Sequence, residues 1–386
     1  MKILMVSSFL PFPLNSGGHV RLYNLIKELS NHDITLVCEK RAYQTEEDIE
    51  EVKKICKKVI CVKRKKQWSA ENIVKSGISS YPFLMIGHTN KELQNNIVQL
   101  LSSETFDLIH IETFYVMQNL PKTDIPTVLV EHNIEYMLYD RYVKGSTYFF
   151  RPPLAIDVLK MKYWEEKFWK LATKVVAVSQ KEKEIIGRAD TEVVPNGVDV
   201  KKFKIQKKSK ERREKTALFI GDFKWVKNQD ALLFLLKDIW PKLHSDFKLW
   251  VVGKNLSPKF RKLGDSSVFF DENNKENTEE IFKKADVLLA PIRIGGGTSF
   301  KILEAMASGV PVVSTLIGAE GIDATEEREI LIGNTAQDLA EKVKMVLADE
   351  KLEISITKNA RKLIEEKYDW KKIAKKLEEV YVSVLK

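Results

Sequence analysis

Pro291–Thr315 reads PIRIGGGTSFKILEAMASGVPVVST, and the order of residue types in it sets the architecture. An apolar strand end runs into three glycines, then a helix-forming segment, then a second short apolar strand at Val310–Val313. Gly295, Gly296 and Gly297 have no Cβ, so a ligand can come close to the main chain. Thr298 and Ser299 are residue types that cap a helix, whose first N–H groups then point back into the turn. Free amides and the helix dipole act together there, and both favour an anion. Lys301 and Glu304 are three apart and share a helix face, while Ile302, Leu303 and Met306 supply its apolar sides. A cation and a carboxylate beside a phosphate cradle suit the two ends of a ribose-diphosphate. A glycine-rich loop in an ordinary α/β domain is the alternative reading.

Working outward, strand-like and helix-like segments alternate along the chain, the pattern of parallel α/β sheets. Strands are expected at Lys2–Phe9, Ile34–Cys38, Val59–Val62, Leu108–Ile111, Thr127–Val130 and Val175–Val178. Leu22, Leu25, Ile26 and Leu29 fall at helical spacing after the first of them. A second series comprises Ala217–Ile220, Leu249–Val252, Val287–Ala290, Val310–Val313 and Ile330–Ile332. The charged run KKSKERREK, residues 207–215, lies between the series and reads as a surface linker. The expected division is residues 1–200 and residues 214–368. Two doubly wound sheets bind ligands at their strand C-termini.

At 386 residues the chain is long enough for two such domains, and 44% hydrophobic with 30% charged residues fits a globular protein. No run approaches the roughly 20 apolar residues that span a bilayer. Three cysteines without metal-ligand spacing favour a reducing cytoplasm. The net charge of +9 gathers at Lys53–Lys66 and Lys201–Lys215. Neither cluster sits in a nucleic-acid motif, so no nucleic acid partner is expected. An anionic membrane surface is the sharper reading, and a solvated helix face the plainer one.

Four further places carry chemistry. Gly17-Gly18 follows the first strand and lets the main chain approach a phosphate or sugar; Arg21 beside it is either an anion contact or a surface residue. Glu131-His132-Asn133 ends the apolar strand PTVLV, so His132 belongs at a ligand-facing edge, with Glu135 following and His110 and Glu112 as further candidates. GDFKWVKN, residues 221–228, follows the strand Ala217–Ile220 that opens the second series and brings Lys224 and Lys227 to its end. Tyr148–Trp169 is dense in aromatics. Tyr163, Trp164, Phe168 and Trp169 are spaced as a helix core face, whereas Phe149 and Phe150 suit an acceptor-side loop.

These motifs resemble the GT-B glycosyltransferases, in particular the large retaining family 4, whose glycine turn, LEAMA-like helix and GxPVV strand grip a nucleotide-sugar. VPNGVD at Val194–Asp199 and the closing EEKYDWKKIAKKLEEVYVSVL resemble the same family. The resemblance implies two Rossmann-like domains facing a central cleft, with residues 369–386 crossing back onto the first. It implies donor binding by Gly17, Gly18, Lys227, Gly296, Gly297, Thr298, Ser299, Lys301 and Glu304, with Glu304 on the ribose. His132 would lie near the transferred sugar, and Glu135, Phe149 and Phe150 on the acceptor side. Asp222 stands where many relatives carry a phosphate-binding arginine, and Gly296 where many carry a first glutamate. A subgroup with Trp225, Asn228 and Asp230 at corresponding places, or with a GGGT turn, shares these departures.

In the mechanism proposed for the family, the leaving phosphate itself helps to remove the acceptor's proton. A nucleotide-diphosphate sugar is then the co-substrate, and neither metal nor other cofactor is expected. The acceptor would be a glycan or lipid-linked intermediate, and the enzyme cytoplasmic or peripheral at the inner membrane face. A sugar-nucleotide epimerase of the same architecture and a catalytically silent scaffold remain the alternatives.

Overall fold

The computed structural model describes residues 1–145, 151–205, 214–243, 247–295 and 297–386. They form two compact units: Met1–Pro195 with Ile373–Lys386, and Asn196–Lys372.

The first unit is built on seven parallel strands: β1 (Lys2–Ser7), β2 (Asp33–Lys40), β3 (Lys58–Lys63), β4 (Leu108–Glu112), β5 (Thr127–Glu131), β6 (Lys174–Ala177) and β7 (Glu192–Val193). Their spatial order is β3-β2-β1-β4-β5-β6-β7. Side chains alternate between the faces of a strand. Leu4, Val6, Ile109, Ile111, Leu129 and Val175 therefore share one core with Phe168 and Trp169 of the helix Arg151–Leu171. His110 lies on the opposite face of β4, where Tyr381 of the helix Trp370–Val384 reaches it. Both faces are covered, which is why the strands read as continuous apolar runs.

The second unit has six parallel strands: β8 (Lys215–Ile220), β9 (Phe247–Val252), β10 (Val268–Asp271), β11 (Val287–Ala290), β12 (Val312–Ser314) and β13 (Leu331–Ile332). The order is β10-β9-β8-β11-β12-β13. Ala217 and Phe219 pack with Leu232 and Leu235 on one face. Leu218 and Leu288 pack with Ile302, Leu303 and Met306 on the other. In both sheets the strand order reverses beside the first strand, at β1/β4 and β8/β11, where doubly wound sheets bind ligands.

Two strands, β7 and β10, lie outside the sequence-based series. β7 has only two residues, and Phe269 of β10 is 63% exposed, so neither carries a buried apolar run. Among the described residues no helix is long and apolar enough to cross a membrane.

Candidate functional site

In the second unit the loops after β8 and β11 bring the nucleotide-binding candidates together. The helix Phe300–Ala307 starts directly after the glycine turn. Ser299 is its N-cap but makes no side-chain capping bond, and Thr298 donates to the carbonyl of Gly321 at 3.2 Å. The capping role expected of these two hydroxyls is thus not the one they play. Thr298 anchors the turn to a distant loop, leaving the first-turn amides without a side-chain acceptor among the described residues. Gly321 has φ +84°, and a Cβ there would sit 3.0 Å from the Thr298 amide.

Lys227 and Lys301 arrive from different helices. Gly295, at φ +135°, lies against Lys227, since a Cβ on it would be 3.6 Å from Lys227 Cδ. A Cβ on Gly221 would be 3.2 Å from Lys301 Nζ. Lys301 Nζ donates to Asn228 Oδ1 at 3.1 Å and stands over the Phe219 ring, 5.2 Å from its centroid. Neither lysine forms an ion pair among the described residues. Desolvation draws both below the ordinary lysine value, Lys301 to about 7 with the Lys227 charge adding to the effect. Glu304, one turn along, is raised to about 7 by desolvation, against the pull of Lys202 and Lys301. Its half-buried carboxylate accepts no hydrogen bond among the described residues.

The Asn-x-Asp pattern braces this arrangement. Asn228 Nδ2 donates to the Asp222 carbonyl at 2.8 Å while its Oδ1 holds Lys301. Asp230 accepts from Nη2 and Nε of Arg293, at 2.7 and 3.1 Å, and so fixes the segment leading into the glycines. Asp222 accepts from Asn255 at 2.8 Å and pairs with Lys224 at 3.1 Å, so Lys224 is committed to Asp222. Beside them an open recess of about 830 Å³ is lined by Lys254, Asn255, Glu272 and Asn274. Sequence reading missed it because β10, whose C-terminal loop forms one wall, was not recognised. Gly296 lies outside the described residues.

In the first unit, Ser16 caps the helix Gly17–Glu28 through the His19 amide. Gly18 leaves room for His132: a Cβ on it would be 3.5 Å from the ring's Cε1 and Nδ1. His132 Nε2 bonds Glu112 Oε1 at 2.5 Å, and His110 Nε2 bonds Glu112 Oε2 at 2.7 Å. Tyr381 Oη reaches His110 Nδ1 at 2.7 Å, closing a buried chain from the last helix to His132. Burial alone would raise Glu112, but the two imidazoles hold it well below the usual carboxylate range. An ionised Glu112 fixes a proton on His132 Nε2 and leaves Nδ1 facing the Gly18 side. Glu112 and His110, read from sequence as secondary, are therefore the groups that orient His132. Tyr381 was not read at all, because its sequence position carries no chemical signal.

Two other expectations, for Arg21 and Tyr163, are corrected. Arg21 is neither a surface residue nor positioned at an open anion site; it is 1% exposed and donates to the carbonyls of Pro195 and Val194 at 2.8 and 2.9 Å. Glu135 opens the helix Glu135–Gly145, and its carboxylate is drawn inward to accept from Tyr115 at 2.8 Å. Tyr163 is 59% exposed, whereas Phe168 and Trp169 are core. Phe149 and Phe150 lie outside the described residues. Among the described residues, no group of three or more His, Cys, Asp or Glu is arranged to hold a metal ion.

Comparison with known proteins identifies the chain. Residues 15–202 match the model of Glycosyltransferase Family 4, and residues 214–349 that of Glycosyl transferases group 1. An uncharacterised 44.6 kDa protein in the cps region of Klebsiella pneumoniae is 23% identical, covering 96% of this chain and 97% of that one. An uncharacterised glycosyltransferase of Methanocaldococcus jannaschii is 29% identical over 44% of this chain and 45% of its own length. Among solved structures, sucrose-phosphate synthase from Thermosynechococcus elongatus superposes with a TM-score of 0.72 at 16% identity, covering 100% of this chain and 99% of that one. Anabaena HepE in complex with UDP-glucose gives 0.66 at 16% identity, covering 99% and 100%. The chain belongs to the group 1, family 4 glycosyltransferases of GT-B fold, and is a nucleotide-sugar-dependent enzyme.

Proposed function

We propose that this glycosyltransferase moves a sugar, with retention of anomeric configuration, from a nucleoside-diphosphate sugar to an intermediate of surface-polysaccharide assembly. The observation that carries the donor assignment is the placing of Lys227 against Gly295 and of Lys301 against Gly221 and Asn228, with no carboxylate paired to either among the described residues. Two cations held together in a desolvated setting repel one another, and an incoming diphosphate relieves that cost. Donors already in place where charge develops on the leaving diphosphate contribute most of the catalysis. Main-chain amides of Gly297, Thr298 and Ser299 complete the anion cradle of the second unit in this reading, and those of the Gly17-Gly18 loop are available to a phosphate or sugar in the first. Glu304 takes the ribose hydroxyls, and the recess by Asn255 and Glu272 takes the base.

His132, with Nε2 held by Glu112, directs Nδ1 to the transferred sugar. Glu135 acts by shaping the acceptor side through Tyr115. The polysaccharide assignment is supported by the location of the Klebsiella relative in a cps region. A cytoplasmic place of action follows from the need for nucleotide sugars, and no metal is required by the groups named.

Thermal stabilisation by a panel of nucleotides and nucleotide sugars, without added metal, tests the reading. One diphosphate nucleotide should raise the melting temperature, and Glu304→Ala should weaken its binding by about 1–3 kcal/mol through lost charged hydrogen bonds. No shift with any member of the panel would favour a silent scaffold, and unchanged affinity in Glu304→Ala would reject the ribose assignment.

A further inference from the structure

The helix Ala70–Ile78 is inside out. Its one buried residue is Asn72, which donates to the carbonyls of Lys66 and Gln67 at 2.9 and 3.0 Å. Its apolar residues face solvent instead: Ile73 is 53%, Val74 62% and Ile78 84% exposed. A helix on a globular surface normally does the reverse. Trp68, just before it, rests on Phe83 with ring centroids 4.8 Å apart, yet is 75% exposed.

A second apolar stripe adjoins the first. Ile156, Leu159 and Tyr163 on the helix Arg151–Leu171 are 58%, 67% and 59% exposed at helical spacing. Lys160 from this stripe donates to the carbonyls of Ser76 and Ser79 at 2.6 and 2.7 Å, and Trp164 to that of Ser80 at 2.9 Å. The two helices are thus tied together at this edge. The segment leading into the face is strongly basic: Lys63, Arg64, Lys65, Lys66 and Lys75 stand against Glu71 alone in residues 63–80. Lys63, Lys65 and Lys66 are exposed, and none forms an ion pair among the described residues.

We propose that this face of the N-terminal unit docks on an anionic lipid bilayer. Apolar side chains and a tryptophan framed by lysines match the depth profile of a lipid interface, with tails below and phosphates at the rim. A second copy of the chain would instead bring two basic rims together, which like-charge repulsion opposes. Among the described residues no helix is long and apolar enough to cross the bilayer, so this face lies on it. This inference is independent of the donor-site reading.

Co-sedimentation of the full chain with phosphatidylcholine vesicles, with and without phosphatidylglycerol at low salt, tests it. Binding is expected only to the anionic vesicles. Combined Lys63→Gln, Lys65→Gln and Lys66→Gln should lower the partition coefficient by roughly a hundredfold, and Val74→Asp with Ile78→Asp should abolish retention. Because these positions are exposed, the thermal unfolding and nucleotide-sugar stabilisation of each variant should match the unsubstituted chain, which separates loss of docking from misfolding. Quenching of Trp68 fluorescence by brominated lipid, lost in Trp68→Phe, places the face in the bilayer. No binding to anionic vesicles, equal binding to neutral ones, or undiminished binding of Val74→Asp/Ile78→Asp would overturn the proposal. So would a lipid-free dimer that this last variant converts to monomer, which would assign the face to a second copy.

Discussion

Binding of the donor should take up protons above neutrality and release them below it. Lys301 and Glu304 both titrate at about 7 in the free protein, each because desolvation disfavours its charged form. At pH 8 Lys301 is roughly nine-tenths neutral and Glu304 nine-tenths ionised. A diphosphate arriving beside Lys301 restores its ordinary affinity for a proton, so binding at pH 8 takes up roughly 0.8 proton net. At pH 6 the roles exchange. Lys301 is already charged, Glu304 is largely protonated, and ribose hydroxyls donating to its carboxylate expel roughly 0.8 proton.

Isothermal titration in buffers of different ionisation enthalpy reads this number directly. The nucleotide sugar is the ligand to use, because its diphosphate diester has no group titrating near neutrality. Lys301→Met should erase the uptake at pH 8, and Glu304→Gln the release at pH 6. The same sign at both pH values, or uptake surviving in Lys301→Met, would refute the account of these two residues.

Glu112→Gln should destabilise the fold by about 3 kcal/mol at neutral pH, since it removes the buried charge that is hydrogen-bonded to His110 and His132 and faces the buried Arg21 at 4.0 Å. The folded-state pKa of Glu112 lies below its unfolded value, so its contribution is present above about pH 4.3 and fades as pH falls through the folded value. Urea unfolding should therefore show the gap from the unsubstituted chain narrowing in acid; a pH-independent gap would contradict the pairing. Gly253→Ala should cost more than about 3 kcal/mol, because Gly253 has φ +152° and its Cβ would lie 1.7 Å from the Gly221 carbonyl oxygen; a variant with an unshifted urea midpoint would exclude that contact. Asn228→Ala frees Lys301 and the Asp222 carbonyl, and steady-state kinetics should show the donor KM rising about tenfold with a smaller change in kcat.

The chain's own residues determine its class because the signals involved are local. Apolar runs at Lys2–Ser7, Leu108–Glu112 and Val287–Ala290 announce strands without reference to anything distant, and the glycine turn before Phe300–Ala307 announces a ligand-approached loop. From such signals the α/β class and the family were legible. Short or exposed elements were not: β7 and β10 carry too little buried surface to stand out, and with β10 went the recess beside it.

What only the tertiary structure decided is which polar groups meet. Tyr381 is 271 residues from His110, and Lys301 is 73 from Asn228, so no spacing rule reaches either pair. Arg21 reads the same in sequence whether it binds an anion or is spent on the carbonyls of Pro195 and Val194. The helix Ala70–Ile78 has the residue content of a core helix, and its outward apolar face exists only because Asn72 is the side it buries. Local backbone preference and periodicity select the elements; the role of each charge depends on what the fold sets within a few ångströms of it.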